Sequence, residues 1–311
     1  MKSKGLDYVR LSSALFIAKF EACNHRRVQG VLFNKYMTLL HRNLKNRGYD
    51  IHLPHCWYRW GDEVVRYNMP YLNWDHENAA YTQVSWKGEQ DFSATNSDEI
   101  LTYASEFADE FIKKYSGKEG AELAIDEVYD QAPFRFQNDY RKLRESLKNI
   151  SGNRTAMFEN TVSIAGPLFE TAMAHFPYEF SVIAKEKEQF KILFRTMLAN
   201  NAPSGDLFSL AEDFWFYFCY YLRLNSKCHE NVTCSTLSVW RDKIPEEKEF
   251  FGRKMQSYAH EYGSGSDDRT LRALEAAWQE NDAALGRLLA ELPNDSGELD
   301  MFVHRVRNKR Q

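Results

Sequence analysis

Cysteine is scarce in this chain. Five residues among 311 (Cys23, Cys56, Cys219, Cys228 and Cys234) are an odd number, and no two form a CxxC pair. In a chain long enough to bury a large core, such usage speaks against a disulfide framework and for reduced thiols. The short signatures of common catalysis are lacking too. There is no Walker A loop, no GxGxxG after a strand, no GxSxG elbow and no HExxH; His229-Glu230 and His260-Glu261 both lack the second histidine. Nucleotide hydrolysis, dinucleotide redox chemistry and serine-type acyl transfer therefore have no support. Potential metal ligands occur as Cys23/His25, His52/His55/Cys56 and Cys228/His229/Cys234, but none of these groups has a zinc-site spacing. No catalytic residue, cofactor or metal ligand is assigned from the sequence. Long apolar runs are missing as well. Lys19 and Glu21 interrupt the N-terminal one, no small-residue cleavage site follows it, and the nine residues Phe214 to Leu222 are too few to span a bilayer. The expectation is a cytoplasmic protein without a membrane partner. No internal repeat of 20–50 residues is visible.

What is present is a globular composition: 43% hydrophobic, 14% aromatic and 27% charged residues, too apolar for disorder. The net charge of −4 hides an asymmetry. Residues 1–50 carry ten Lys/Arg against three acids, and residues 81–130 carry twelve acids against four lysines. Either the basic end meets an anionic partner, or the two regions face each other.

Apolar periodicity places helices over 6–22, 28–46, 98–116, 119–131, 136–149, 155–175, 179–200, 206–224 and 245–261. Gly166-Pro167 should kink or split the sixth of these. The segment 206–224 is apolar nearly all round and reads as a central core helix. Residues 70–96 read as loops around one strand, Tyr81 to Trp86. The fold class is mainly α: a basic α+β N-terminal module (1–96), a helical domain (97–262) and C-terminal helices (267–311) after the linker Gly263-Ser264-Gly265-Ser266. In the last segment Leu271, Leu274, Trp278, Asn281, Leu285, Leu288 and Leu292 alternate by three and four. That is a heptad seam with one polar member, able to dock on the chain's own core or to form a homo-oligomer.

The densest stretch is Val28 to Met69. Its helix carries Leu32, Phe33, Tyr36, Met37, Leu40 and Leu44 on one face and Lys35, Thr38, Arg42 and Lys45 on the other. An extended segment to Trp60 follows. Gly61-Asp62 then serves either as a two-residue hairpin loop or, through Asp62, as the cap of a short helix reaching Tyr67. With Arg26, Arg27, Arg47, Arg59 and Arg66 nearby, the basic face is a candidate nucleic-acid surface, and two helices before a hairpin would suit a winged helix.

Within this stretch the chain resembles the Panacea (SocA-like) antitoxin domain, through Lys35-Tyr36-Met37-Thr38-Leu39-Leu40-His41, then Trp57-Tyr58-Arg59-Trp60-Gly61-Asp62-Glu63-Val64-Val65, then Tyr67. Trp57 lies one residue farther from Gly61 than in the family pattern. Asp62 stands where the family has Pro, and Glu63 precedes the valines. The match covers residues 10–70. The resemblance implies a small helical module that binds and neutralises a protein, often a toxin, or acts as an adaptor. It implies no catalytic residues, and it favours the turn-then-helix reading after Gly61. Trp57, Tyr58, Trp60, Gly61 and Tyr67 are then the partner-binding residues.

Three functions follow from these readings: a non-enzymatic binding or regulatory protein, antitoxin-like or an adaptor of a toxin–antitoxin or defence module; a nucleic-acid-binding regulator using the basic face; and a nuclease-type enzyme whose site spacing does not reveal.

Overall fold

A computed structural model describes residues 7–75, 82–87, 98–152 and 158–262. The heptad seam at 271–292 lies outside these residues, as does the whole segment 267–311. The chain is mainly α with a small α+β N-terminal part. It begins with α1 (Tyr8–Asn24), β1 (Val28–Gln29) and α2 (Gly30–Asn46), continues as β2 (His55–Tyr58), β3 (Gly61–Val64), β4 (Leu72–Asp75) and β5 (Gln83–Trp86), and is helical afterwards. The later helices are α3 (Glu99–Tyr115), α4 (Gly120–Tyr129), α5 (Arg135–Gly152), α6 (Phe158–Ala174), α7 (Ala184–Ala199), α8 (Ser204–Leu222), α9 (Cys234–Asp242) and α10 (Ile244–Tyr262); β6 (His229–Glu230) precedes α9. Two antiparallel sheets form, in the orders β1-β5-β4 and β3-β2-β6.

Helix α2 ends where Gly48 takes a φ of +90°. Tyr49 N donates to Leu44 O at 2.9 Å and Gly48 N to Lys45 O at 3.0 Å, so the last carbonyls are satisfied by a left-handed glycine cap. The segment 55–64 is a hairpin, but its two-residue loop is Arg59-Trp60, two positions before Gly61-Asp62, with Tyr58 opposite Gly61 and Trp57 opposite Asp62. Gly61 holds φ at +92°, the conformation of a glycine closing a bulged hairpin loop. The capped helix after Gly61 does not form: residues 61–64 are strand, and only the 3-10 turn Arg66–Asn68 follows. Strand β4 corrects the loop reading of 70–75, since Asn73 and Asp75, ordinarily turn formers, are held in register opposite Ser85 and Gln83. Pro167 lies inside α6, which runs from Phe158 to Ala174 without a split.

The core runs across position 96. Phe16 stacks on Tyr36 at 3.9 Å and meets Phe111 of α3 edge-on at 5.6 Å, and Tyr36 donates its hydroxyl proton to Ala104 O at 3.1 Å. Lys19 of α1 pairs with Asp109 of α3 at 2.6 Å, so the basic and acidic regions do face each other there. Helix α8 is the central core helix. Phe214 stacks on Phe190 of α7 at 4.1 Å, and Trp215 stacks on Tyr140 of α5 at 5.7 Å. The Trp215 indole also donates to Arg59 O at 3.0 Å, which ties the hairpin loop to the helical part.

Candidate functional site

The hairpin β2–β3 has two faces, because strand side chains alternate. His55, Trp57, Asp62 and Val64 turn toward α2. Cys56, Tyr58 and Glu63 turn the other way.

On the α2 side lies a buried charge cluster. Asp62 is fully buried. Its Oδ1 meets His55 Nδ1 at 2.7 Å, its Oδ2 accepts from Arg42, and its backbone oxygen accepts from Lys35 Nζ at 2.8 Å. Burial alone would raise the Asp62 pKa, but His55, Arg42 and Lys35 outweigh it and hold the carboxyl down to about 2. Burial lowers Lys35 to about 8, against the attraction of Glu63 and Asp62. Burial would also lower His55, yet the Asp62 carboxylate pushes it up to about 9. Strand β6 places Glu230 opposite His55. Glu230 Oε2 stands 3.5 Å from His55 Nε2 and 3.6 Å from His41 Nε2, and Oε1 takes Lys45. The His55 contact first, against burial and with Lys45, holds the Glu230 carboxyl well below the usual range. His41 is 1% exposed, and neither ring nitrogen has a hydrogen-bond partner. Burial lowers its pKa, followed by the charge of His55.

This arrangement corrects the reading of α2 as a helix with one solvated basic face. Lys35 and Thr38 are both fully buried, because β3 and α4 pack on that side of the helix. Arg42 and Lys45 are spent on Asp62 and Glu230. The remaining basic candidates are dispersed. Arg26 donates to Ser116 O at 2.9 Å, Arg27 pairs with Asp75 at 3.1 Å, and Arg47 lies over the Tyr103 ring at 4.0 Å. A winged-helix reader needs an exposed helix for the groove, and α2 is not one.

On the other side of the hairpin is an open groove of about 570 Å³, lined among others by Tyr58, Arg59, Trp60, Arg66, Tyr67, Trp74, Arg223 and Trp240. Of the five sequence-derived partner residues, Tyr58, Trp60 and Tyr67 line it. Trp60 is 48% and Tyr67 76% exposed, whereas Trp57 and Gly61 are buried. Trp57 packs edge-on against Tyr129 at 5.5 Å. Arg59 and Arg66, read as nucleic-acid contacts, lie in the same groove. Three residues that spacing did not reveal complete it: Trp74, Trp240 and Arg223. The Arg223 guanidinium sits 4.8 Å from the Tyr58 ring, 4.4 Å from Tyr220 and 4.8 Å from Trp240. Arg223 is buried, and its Nε and one terminal nitrogen have no hydrogen-bond partner. Among the described residues, Arg59, Arg66 and Arg223 form no ion pair. The only sequence sign of Arg223 was its place at the end of the aromatic run Phe214 to Leu222.

The three buried thiols, Cys56, Cys219 and Cys228, are free and pushed up by burial. That environment suppresses thiolate chemistry. No described helix is long and apolar enough to cross a membrane. The chain matches no protein-family model, no curated protein and no solved structure.

Proposed function

We propose that the protein is a non-enzymatic binding protein, of the antitoxin or adaptor kind, and that the groove beside the β2–β3 hairpin is its contact surface for an acidic segment of a protein partner. The observation that carries this reading is Arg223: a buried guanidinium held against three aromatic rings, with donors that no protein group accepts. The two unmet nitrogens are enclosed, so a carboxylate entering the groove would offset the buried, unpaired charge through Coulomb attraction to the guanidinium. Glu63 also lines the groove, but the groove's aromatic rings and three arginines outnumber that acid and support the reading. Exposed Trp and Tyr beside Arg is the composition of interface hot spots, where large rigid rings bury much area and arginine supplies directional bonds. The Panacea-like residues Tyr58, Trp60 and Tyr67 belong to this same surface. The hairpin after Trp57 is not the turn-then-helix that the resemblance favours, so the groove carries the proposal and the resemblance only adds to it.

A second reading, single-stranded nucleic acid, draws on Trp60 and Tyr67 standing exposed next to Arg59 and Arg66, since bases stack on such rings and phosphates pair with arginine. The two are separated by titrating the protein with a fluorescent Glu/Asp-rich peptide and with a dT oligomer, at low and high salt. The first reading expects peptide binding that falls with salt and is lost in Trp60→Ala and Arg66→Ala. Binding of the oligomer alone transfers the groove to the second reading, and binding of neither removes the anionic-ligand proposal.

A further inference from the structure

The geometry points to a divalent transition-metal site, of the zinc type, formed by His41, His55 and Glu230. This goes beyond the groove and lies on the opposite face of the hairpin. One ligand atom from each of the three side chains falls within 4.8 Å of the others. In a tetrahedral site with bonds of 2.0–2.1 Å, ligand atoms stand about 3.3 Å apart. Two of the three edges here, Glu230 Oε2 to His55 Nε2 at 3.5 Å and to His41 Nε2 at 3.6 Å, are already close to that. Both are long for a hydrogen bond, and they are ion-pair contacts to Glu230 that a metal ion would replace.

Further features support an ion over a plain polar cluster. His41 is 1% exposed and neither ring nitrogen has a hydrogen-bond partner; a metal bond would satisfy Nε2, while Nδ1 stands 4.0 Å from Asp50. His55 Nε2 is buried and makes no hydrogen bond, its nearest partner being Glu230 Oε2 at 3.5 Å. Asp62 sets the His55 ring: with Nδ1 donating to Oδ1 at 2.7 Å, Nε2 faces Glu230 and would give up its proton to bind an ion there. A carboxylate behind a histidine ligand is the arrangement that fixes tautomer and orientation in metal sites. Asp62 in turn is held by Arg42 and by Lys35 at its backbone oxygen. A cation already sits on Glu230, namely Lys45, whose side chain is 49% exposed and free to swing into water when an ion takes its place. Two imidazoles and one carboxylate suit zinc over magnesium or calcium. The Glu230 side chain is 34% exposed, so the fourth position opens to water.

The test uses the full chain, treated with a chelator and then titrated with Zn(II) by calorimetry and with Co(II) by visible absorption. The expected result is one ion per chain, with four-coordinate Co(II) bands and no thiolate charge-transfer band. Glu230→Gln and Asp62→Asn should each weaken binding roughly 10–100-fold. His41→Ala and His55→Ala should abolish the Co(II) bands. His52→Ala, an exposed histidine outside the cluster, should leave them unchanged. His41 is buried, so circular dichroism of each variant is recorded first; if His41→Ala is unfolded, the partly exposed Glu230→Gln carries the test. Absence of stoichiometric binding, a thiolate band, or undiminished affinity in Glu230→Gln together with His55→Ala would overturn the assignment.

Discussion

Replacing Asp62 by Ala would leave His55, Arg42 and Lys35 around a space with no carboxylate to separate them. Removing one partner of a buried ion cluster strands the others, so urea denaturation of Asp62→Ala should show a loss of about 3–5 kcal/mol; a loss below about 1 kcal/mol would mean that water reaches the cluster. Lys35 gives a different signature. Its ordinary pKa is 10.5 and its folded one about 8. Below pH 8 it is charged in both states. Between pH 8 and 10.5 the folded protein sheds a proton that the unfolded chain keeps, so this group adds stability as pH rises, fully above 10.5 and not at all below 8. The shift is worth about 3 kcal/mol. Stability of the native chain relative to Lys35→Met, measured at pH 7, 9 and 10.5, should therefore change in favour of the native chain by up to that amount. A flat difference would show that Lys35 is not buried in its charged form. Neither residue could be read correctly from spacing. Lys35 falls on the polar side of an amphipathic helix, and only the docking of β3 and α4 turns that side inward. Asp62 follows a glycine and looks like a turn residue. It sits in a strand because three cations in the interior attract its carboxylate more strongly than water holds it.

The hairpin is the element on which the two candidate surfaces depend. A Cβ at Gly61 would come within 3.0 Å of the Tyr129 ring and 3.3 Å of Lys35 Nζ, at a φ of +92°. Gly61→Ala should cost roughly 1–3 kcal/mol, and circular dichroism melts check this. A variant as stable as the native chain would mean that the loop can refold around a side chain. Much of the element pattern was legible. The apolar stripes of α1, α2, α3 and α5 and the all-round apolar α8 read as helices because long periodic segments outvote local exceptions. The hairpin was legible as one of two alternatives, with its loop misplaced by two residues. Strand β4 was not: Leu72-Asn73-Trp74-Asp75 is strand only because β5 pairs along its whole length, and pairing is not written in four residues. The grouping of His41, His55 and Glu230 escaped notice for the same reason, although His55 stood among the potential ligands. The β2–β6 register joins positions that are far apart in sequence, and no local spacing encodes it. Arg223 and Trp240 entered the groove by the same route.

Across the whole molecule, residues on both sides of position 96 share one core. Phe16 and Tyr36 require Phe111 and the Ala104 carbonyl, which a module ending at 96 would not have. A fragment of residues 1–96 should therefore show no cooperative thermal unfolding, whereas one of residues 1–262 should; a sharp transition in the shorter fragment would contradict the shared core. The groove likewise takes Trp60 and Tyr67 from the hairpin side and Arg223 and Trp240 from the helical side, so it exists only when both are folded together. The most direct measurement of the binding role is native mass spectrometry of the chain purified from its own cells at low ionic strength. The groove account predicts a stoichiometric complex with a second polypeptide, dissociated by salt and absent for a Trp60→Ala/Arg223→Met variant that remains folded. A lone chain in the native sample, or a complex that persists unchanged in that variant, would contradict it.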